Sequence, residues 1–286
     1  MPAVVGVHGI AQQNWGPAVL ERDWRPALQD GLRACGGELA SHDLAVAFYG
    51  DCFRPSGSVR AVGGHDYRPA DVTVDEADLL DLFWREAARL QPTRVPTPDA
   101  DLRAATPQSV QMALRLLARS SFFAGIAERA FIGALKQVRG YMREPGIRAA
   151  ARAAVDAAVG EDTRVIVAHS LGSVVAYEAL HAYAATPRWA NVRTLVTLGS
   201  PLGIPNLIFD GLEPAPRGGV AVWPPGIARW TNVSDDGDVV ALVKELAPLF
   251  GRAIVDVRVV NGSTAHDVVP YLTAHETGRA IADGLA

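Results

Sequence analysis

Apolar and polar positions alternate along this chain between two textures. Short, largely β-branched apolar runs occur at Ala3–Val7, Leu44–Tyr49, Val165–Val167, Val192–Leu198, Ile227–Val233 and Ala253–Val260. Runs of this length and branching suit strands buried on both faces of a parallel sheet. Between them lie longer segments with apolar residues at helical spacing. Pro17–Cys35 carries Trp24, Leu28 and Leu32 and stops at Gly36-Gly37. Asp75–Leu90 carries Leu79, Leu82, Phe83 and Leu90. Pro107–Tyr141 predicts one long or two shorter helices, with Val110, Leu114, Leu117, Phe122, Phe123, Ile126, Phe131, Ile132, Leu135 and Val138 as its apolar set. An Ala-rich helix is expected over Ile147–Val159, another after Ser170, and a last one at the end of the chain. Strands alternating with helices predict an α/β fold, a mainly parallel sheet flanked by helices.

One interval breaks the alternation. No strand is expected between Gly50 and Thr163, many more residues than a crossover helix needs. Arg54–Asp71 is rich in glycine, proline and charge and reads as a loop; the prolines of Gln91–Pro98 and then Pro145-Gly146 read as breaks. Ile147–Val159 is assigned to the crossover into the next strand. Residues 51–146 therefore read as a helical cap or lid inserted between two central strands, with 1–50 and 147–286 forming the core. Insertions of this length usually carry function. The long helical segment bears Arg115, Arg119, Arg129, Lys136, Arg139 and Arg143 against Glu128 and Glu144. It reads as a solvated cationic face over a packed apolar one, although such a helix also suits a membrane surface or an anionic substrate.

Composition narrows the classes. The chain has 286 residues, 49% hydrophobic and 20% charged, with a net charge of −4, so it lacks the basic footprint of a nucleic-acid binder. Cys35 and Cys52 give neither a disulfide framework nor metal spacing and are expected as buried, reduced thiols. The first residues read directly as a strand, without a basic n-region and apolar run. No stretch approaches the roughly 20 apolar residues of a membrane span. A cytoplasmic protein without stable membrane contact is expected. There is no His-Glu-x-x-His, phosphate-binding loop or Gly-x-Gly-x-x-Gly, so neither metal nor cofactor is expected. Trp15 and Trp24 read as packing residues, with pocket lining as the alternative.

The chemistry concentrates at Val165-Ile166-Val167-Ala168-His169-Ser170-Leu171-Gly172. This is strand, sharp turn, helix, with a serine at the apex beside a helix N-terminus. It resembles the nucleophile elbow of the α/β-hydrolase family, with Ala168 where the usual pattern has its first glycine. The turn crowds the positions two before and two after the serine, and Ala168 and Gly172 are small enough. The resemblance implies an α/β-hydrolase fold and a lipase- or esterase-like serine hydrolase. It also implies that the His8-Gly9 dipeptide introduces an oxyanion donor, the N–H of Ile10, partnered by the N–H of Leu171. Gly199-Ser200-Pro201 would wall the pocket near the serine, and the sheet would be a trimmed version of the family's. Ser200 is a second serine after a strand, but it lacks a following helix.

A serine hydroxyl needs a base to take its proton, and histidine, with an intrinsic pKa of about 6.5, suits that task. The histidine needs a carboxylate to hold its tautomer. Ser170, Asp238 and His266 each follow a predicted strand, in the chain order that scaffold imposes. Asp235, Asp236 and Asp238 share one predicted loop. Asp238 is preferred because it opens Asp-x-Val, which the resemblance implies for this loop, and because Gly237 before it allows the turn; Asp236 is next. His266 alone among the seven histidines lies on a loop after the last strand. His8, His42, His65, His169, His181 and His275 lack that position. The expectation is hydrolysis of a carboxylester or lipid-like acyl ester of small-molecule size. A peptidase, thioesterase or acyltransferase fits the same groups, and a non-catalytic binding protein is the reading from another class. The substrate, the seat of the cap and the oligomeric state stay open at this level.

Overall fold

The computed structural model describes residues 1–40, 42–54, 67–98, 106–122 and 127–286. Its elements run β1 (Val4–Val7), α1 (Pro17–Arg33), β2 (Leu44–Ala47), α2 (Val74–Leu90), α3 (Pro107–Leu117), α4 (Glu128–Arg143), α5 (Pro145–Ala158), β3 (Val165–His169), α6 (Leu171–Tyr183), β4 (Thr194–Leu198), β5 (Arg229–Asp235), α7 (Ala247–Phe250), β6 (Ile254–Val259), α8 (Val268–Thr273) and α9 (His275–Leu285). The strands form one six-stranded sheet in the order β2-β1-β3-β4-β5-β6. Every pairing is parallel. The protein is an α/β fold with helices on both faces of the sheet.

Alternation along each strand divides the core. Val5, Val7, Ile166, Ala168 and Leu195 join a cluster with α5 and α6, whereas Val4, Val165, Val167, Val196, Leu198 and Val233 join α1, α8 and α9. On that second face α1 and α9 touch backbone to backbone. A Cβ on Gly278 would lie 1.9 Å from the carbonyl oxygen of Gly31.

Helices α2 to α4 do not build a core of their own. Leu80, Trp84, Leu114, Ile132 and Tyr141 belong to the same continuous buried cluster as Val5 and Ile166. The cationic side of α4 is partly paired rather than solvated. Lys136 Nζ lies 2.9 Å from Glu76, and Arg143 Nε lies 2.9 Å from Asp75. Both carboxylates sit in the first turn of α2, where they also oppose the helix dipole.

Some boundaries differ from expectation. Of the two readings of Pro107–Tyr141 the described residues show the shorter helices, α3 and α4, with α4 running on to Arg143; β2 stops at Ala47, and the terminal helix is split at Ala274. Both cysteines are half-buried free thiols rather than buried ones. Most of the Arg54–Asp71 loop (residues 55–66, His65 among them) lies outside the described residues, as do Phe123 and Ile126. Among the described residues no helix is long and apolar enough to cross a membrane.

The sheet order locates the site. From β1 the chain goes to β2 on one side, and β3 then joins β1 on the other. The loops leaving β1 and β3 therefore diverge, and the crevice at such a reversal is where open α/β sheets hold their ligands.

Candidate functional site

Ser170 sits between the last residue of β3 and the first of α6. Its backbone is at φ 53°, ψ −132°, a conformation that costs a non-glycine residue of order 1–3 kcal/mol. Two bonds hold it there: its N–H donates to Leu198 O at 3.0 Å, and its C=O accepts from the Ser173 N–H at 2.9 Å. Gly172 makes the turn possible. A Cβ there would lie 2.3 Å from Val7 O and 2.4 Å from His8 O, so only glycine lets α6 start this close to β1.

The loop after β1 lies directly against the serine. A Cβ on Gly9 would be 2.8 Å from Ser170 Cβ and 3.3 Å from its Oγ. Ile10 follows in that loop. Leu171 is the first residue of α6, so its N–H has no acceptor within the helix.

Three side chains from three loops meet here. Ser170 Oγ lies 3.0 Å from His266 Nε2, and His266 Nδ1 lies 2.9 Å from Asp238 Oδ2. The carboxylate accepts only, so Nδ1 carries the proton and Nε2 is left free to accept from the hydroxyl. Asp238 is fully buried. Its Oδ1 accepts from the N–H groups of Val240 at 2.9 Å and Ala241 at 3.2 Å, and its Oδ2 also accepts from the Tyr271 hydroxyl at 2.8 Å. Burial alone would raise the Asp238 carboxyl. His266, Lys244 and Tyr271 outweigh it and hold the group below its ordinary range. Gly199, at φ 53°, packs on this pair: a Cβ there would lie 2.7 Å from Asp238 Oδ2.

The other candidates have other partners. Asp235 is the last residue of β5 rather than a loop residue. Its carboxylate ties two strand ends together by accepting from the N–H groups of Gly237 and Asn261. Asp236 is exposed and pairs with Arg258 Nε at 3.0 Å. Ser200 is buried, and its Oγ accepts from the Leu202 N–H at 3.3 Å.

Sequence reasoning missed the residues that brace these groups. Tyr271 arrives from α8, donates to Asp238 and accepts from the Asp235 N–H at 2.9 Å. His169 donates from Nε2 to the carbonyl of His266 at 3.0 Å, with the two rings 4.9 Å apart. Lys244 Nζ bonds the main-chain carbonyl of Asp238. The histidine of the first loop, His8, accepts from the Tyr49 N–H through Nε2 and donates to Gly9 O through Nδ1. Tyr271 and Lys244 carry no local motif, and His8 and His169 lie within the His-Gly dipeptide and the elbow without a pattern that announces a bracing role. Their only signal is position near strand ends. Among the described residues no group of three or more His, Cys, Asp or Glu is arranged to hold a metal ion.

The buried histidines set a pH dependence. Burial lowers His8 to about 4, against the opposing bond to Gly9. Burial and then the nearby His266 lower His169 to about 3. An unfolded histidine titrates near 6.5. A base whose folded pKa lies below its unfolded pKa contributes stability that is full above the unfolded value and lost as pH falls toward the folded one. Together the two should remove about 2 kcal/mol of unfolding free energy between pH 6 and pH 5. Urea titrations across that window measure it. His169→Gln should remove about half of the slope, and a flat profile would contradict the assignment.

Compared with protein-family models, with curated proteins and with solved structures, the chain matches none.

Proposed function

We propose that this protein is a serine hydrolase of the α/β-hydrolase kind, cleaving carboxylesters or lipid-like acyl esters. The observation that carries the reading is the relay from Ser170 Oγ to His266 Nε2 at 3.0 Å and from His266 Nδ1 to Asp238 at 2.9 Å. Its position at the reversal of strand order supports the same reading, as does the strained backbone of Ser170. The three groups follow β3, β5 and β6, the sequence of nucleophile, acid and base that scaffold requires.

The chemistry then runs in two halves. His266 Nε2 takes the proton from Ser170 Oγ as that oxygen attacks the ester carbonyl carbon. Asp238 steadies the resulting imidazolium. The carbonyl oxygen gains the negative charge and accepts from the N–H groups of Ile10 and Leu171. Removing one such donor typically costs about 3 kcal/mol of barrier. The tetrahedral centre collapses, the alkoxide leaves with the proton from His266, and Ser170 is acylated. Water gives a proton to His266 and attacks the acyl carbon; the second tetrahedral centre collapses, Ser170 Oγ leaves with that proton from His266, and the acid departs.

The helices of residues 51–146 serve in this reading as a cap. Their contacts favour it: Phe122 approaches the Gly237 turn, and Gln137 bonds the loop after β1. Both touch loops at the carboxyl ends of the strands.

A panel of p-nitrophenyl esters of graded chain length, run beside aminoacyl p-nitroanilides, tests the substrate class. Ester turnover that rises with chain length and disappears in Ser170→Ala is expected. Amide turnover without ester turnover would move the proposal to a peptidase.

A further inference from the structure

We propose that Gln137, on α4 within the helical insertion, is a positioning residue for the oxyanion-binding loop. The inference rests on the hydrolase reading above and adds to it that the insertion is a working part of the catalytic geometry.

Gln137 is buried although it is polar, and its amide points into the loop between β1 and α1. Its Oε1 accepts from the Ala11 N–H at 2.9 Å, and its Nε2 donates to Gln13 Oε1 at 3.0 Å. The Ala11 donor faces the oxygen, which fixes the orientation of the amide. Ala11 is the residue after the proposed donor Ile10, and its φ is 63°. An alanine held there is strained by roughly 1–2 kcal/mol, so the loop needs an anchor at this residue. Gln137 supplies it from a helix 126 positions away. The other ties act on Ile10 itself and on either side of it. Tyr49 donates its hydroxyl to His8 O, Gln12 Nε2 donates to Ile10 O at 3.3 Å, and Arg54 Nε donates to Gln13 O at 2.6 Å.

The arrangement has a specific consequence. Gly9 lies against Ser170, so a small rotation of the Ile10–Ala11 backbone changes where the Ile10 N–H points. With the Ala11 N–H bound to Gln137, the loop keeps its left-handed turn before substrate arrives. Without that bond, Ala11 relaxes to its preferred backbone and leaves the Ile10 donor misaimed. Misplacement of about 1 Å by a change remote from the reacting atoms can cost around a hundredfold in rate.

The test uses the full chain and two variants. Gln137→Met keeps the volume and removes both bonds. Gln13→Ala leaves α4 untouched and removes only the brace on the Gln137 amide. For Gln137→Met we expect kcat on a p-nitrophenyl ester to fall by about ten- to a hundredfold with KM within twofold. Affinity for a trifluoromethyl ketone, which presents an oxyanion, should fall in parallel, while the pH dependence of kcat keeps its shape. For Gln13→Ala we expect a smaller loss in kcat of the same kind, and it decides the matter if Gln137→Met does not fold. An active wild type whose folded variants keep kcat, or lose only KM, overturns this inference and leaves the hydrolase reading standing. A wild type that turns over no ester and binds no trifluoromethyl ketone overturns the hydrolase reading itself.

Discussion

Asp238→Asn is expected to lower kcat on an ester about ten-thousand-fold with the fold retained. The reason lies in which donors face which oxygen. Oδ1 of Asp238 accepts from two backbone N–H groups, Val240 and Ala241. An asparagine must turn its own oxygen toward those fixed donors, which puts its NH2 toward His266 Nδ1. Nδ1 then accepts, Nε2 carries the proton, and the nitrogen facing Ser170 Oγ cannot take a proton from it. Tyr271 meets the same NH2 and can rotate its hydroxyl to accept. The local structure therefore tolerates the change while the tautomer is reversed. Steady-state kinetics with thermal unfolding as the folding check measures this. A loss of less than tenfold would mean that His266 does not work through Asp238.

The largest effect on stability is expected at Arg148. Its guanidinium holds Glu178 in a bidentate pair, at 2.8 Å from Nε and 2.7 Å from Nη2, and reaches Glu213 at 2.9 Å. Glu178 lies in α6 and is fully buried. Burial pushes its carboxyl up from the ordinary range, and the bonds from Arg148 and Tyr141 hold that rise back. Arg148→Met removes the counter-charge and leaves the carboxylate among apolar neighbours, with Tyr141 and the Glu213 N–H as its donors. Breaking a buried pair from one side costs about 3–5 kcal/mol. The double variant Arg148→Met/Glu178→Leu should recover part of it, because no charge is then stranded. Denaturant unfolding of the wild type, both single variants and the double variant closes the cycle. A loss under 1 kcal/mol in Arg148→Met would show that the pair contributes little.

Neither effect could be read from sequence to the same depth. The sheet was legible because Val165-Ile166-Val167 and its counterparts are too short and too branched for helices, and because the intervening segments keep helical spacing. Strand ends were less legible. Phe48 and Tyr49 continue the apolar run of β2, yet Tyr49 leaves the strand to stack on His8 with ring centroids 4.1 Å apart. Apolar pattern alone cannot separate a paired residue from its unpaired neighbour. The division between α8 and α9 at Ala274 was hidden for a similar reason. It falls where backbone carbonyls of Leu272 and Ala274 pack against Gly31, a contact between distant parts of the chain.

The site divides the same way. Ser170, Asp238 and His266 could be named because each follows a strand and carries chemistry that few residue types supply. The bracing roles of Tyr271, His169 and Gln137 could not. Each acts through one or two hydrogen bonds to groups up to 126 positions away, and an isolated Tyr, His or Gln in a sequence has no spacing that announces such a bond.

The central claim is that the Ser170 hydroxyl is an activated nucleophile. Intact-protein and peptide mass spectrometry after treatment with a fluorophosphonate tests it most directly. The predicted result is one phosphonyl adduct on the peptide holding Ser170, lost in Ser170→Ala and strongly slowed in Asp238→Asn. An unmodified wild-type protein, or an adduct that persists in Ser170→Ala, would contradict it.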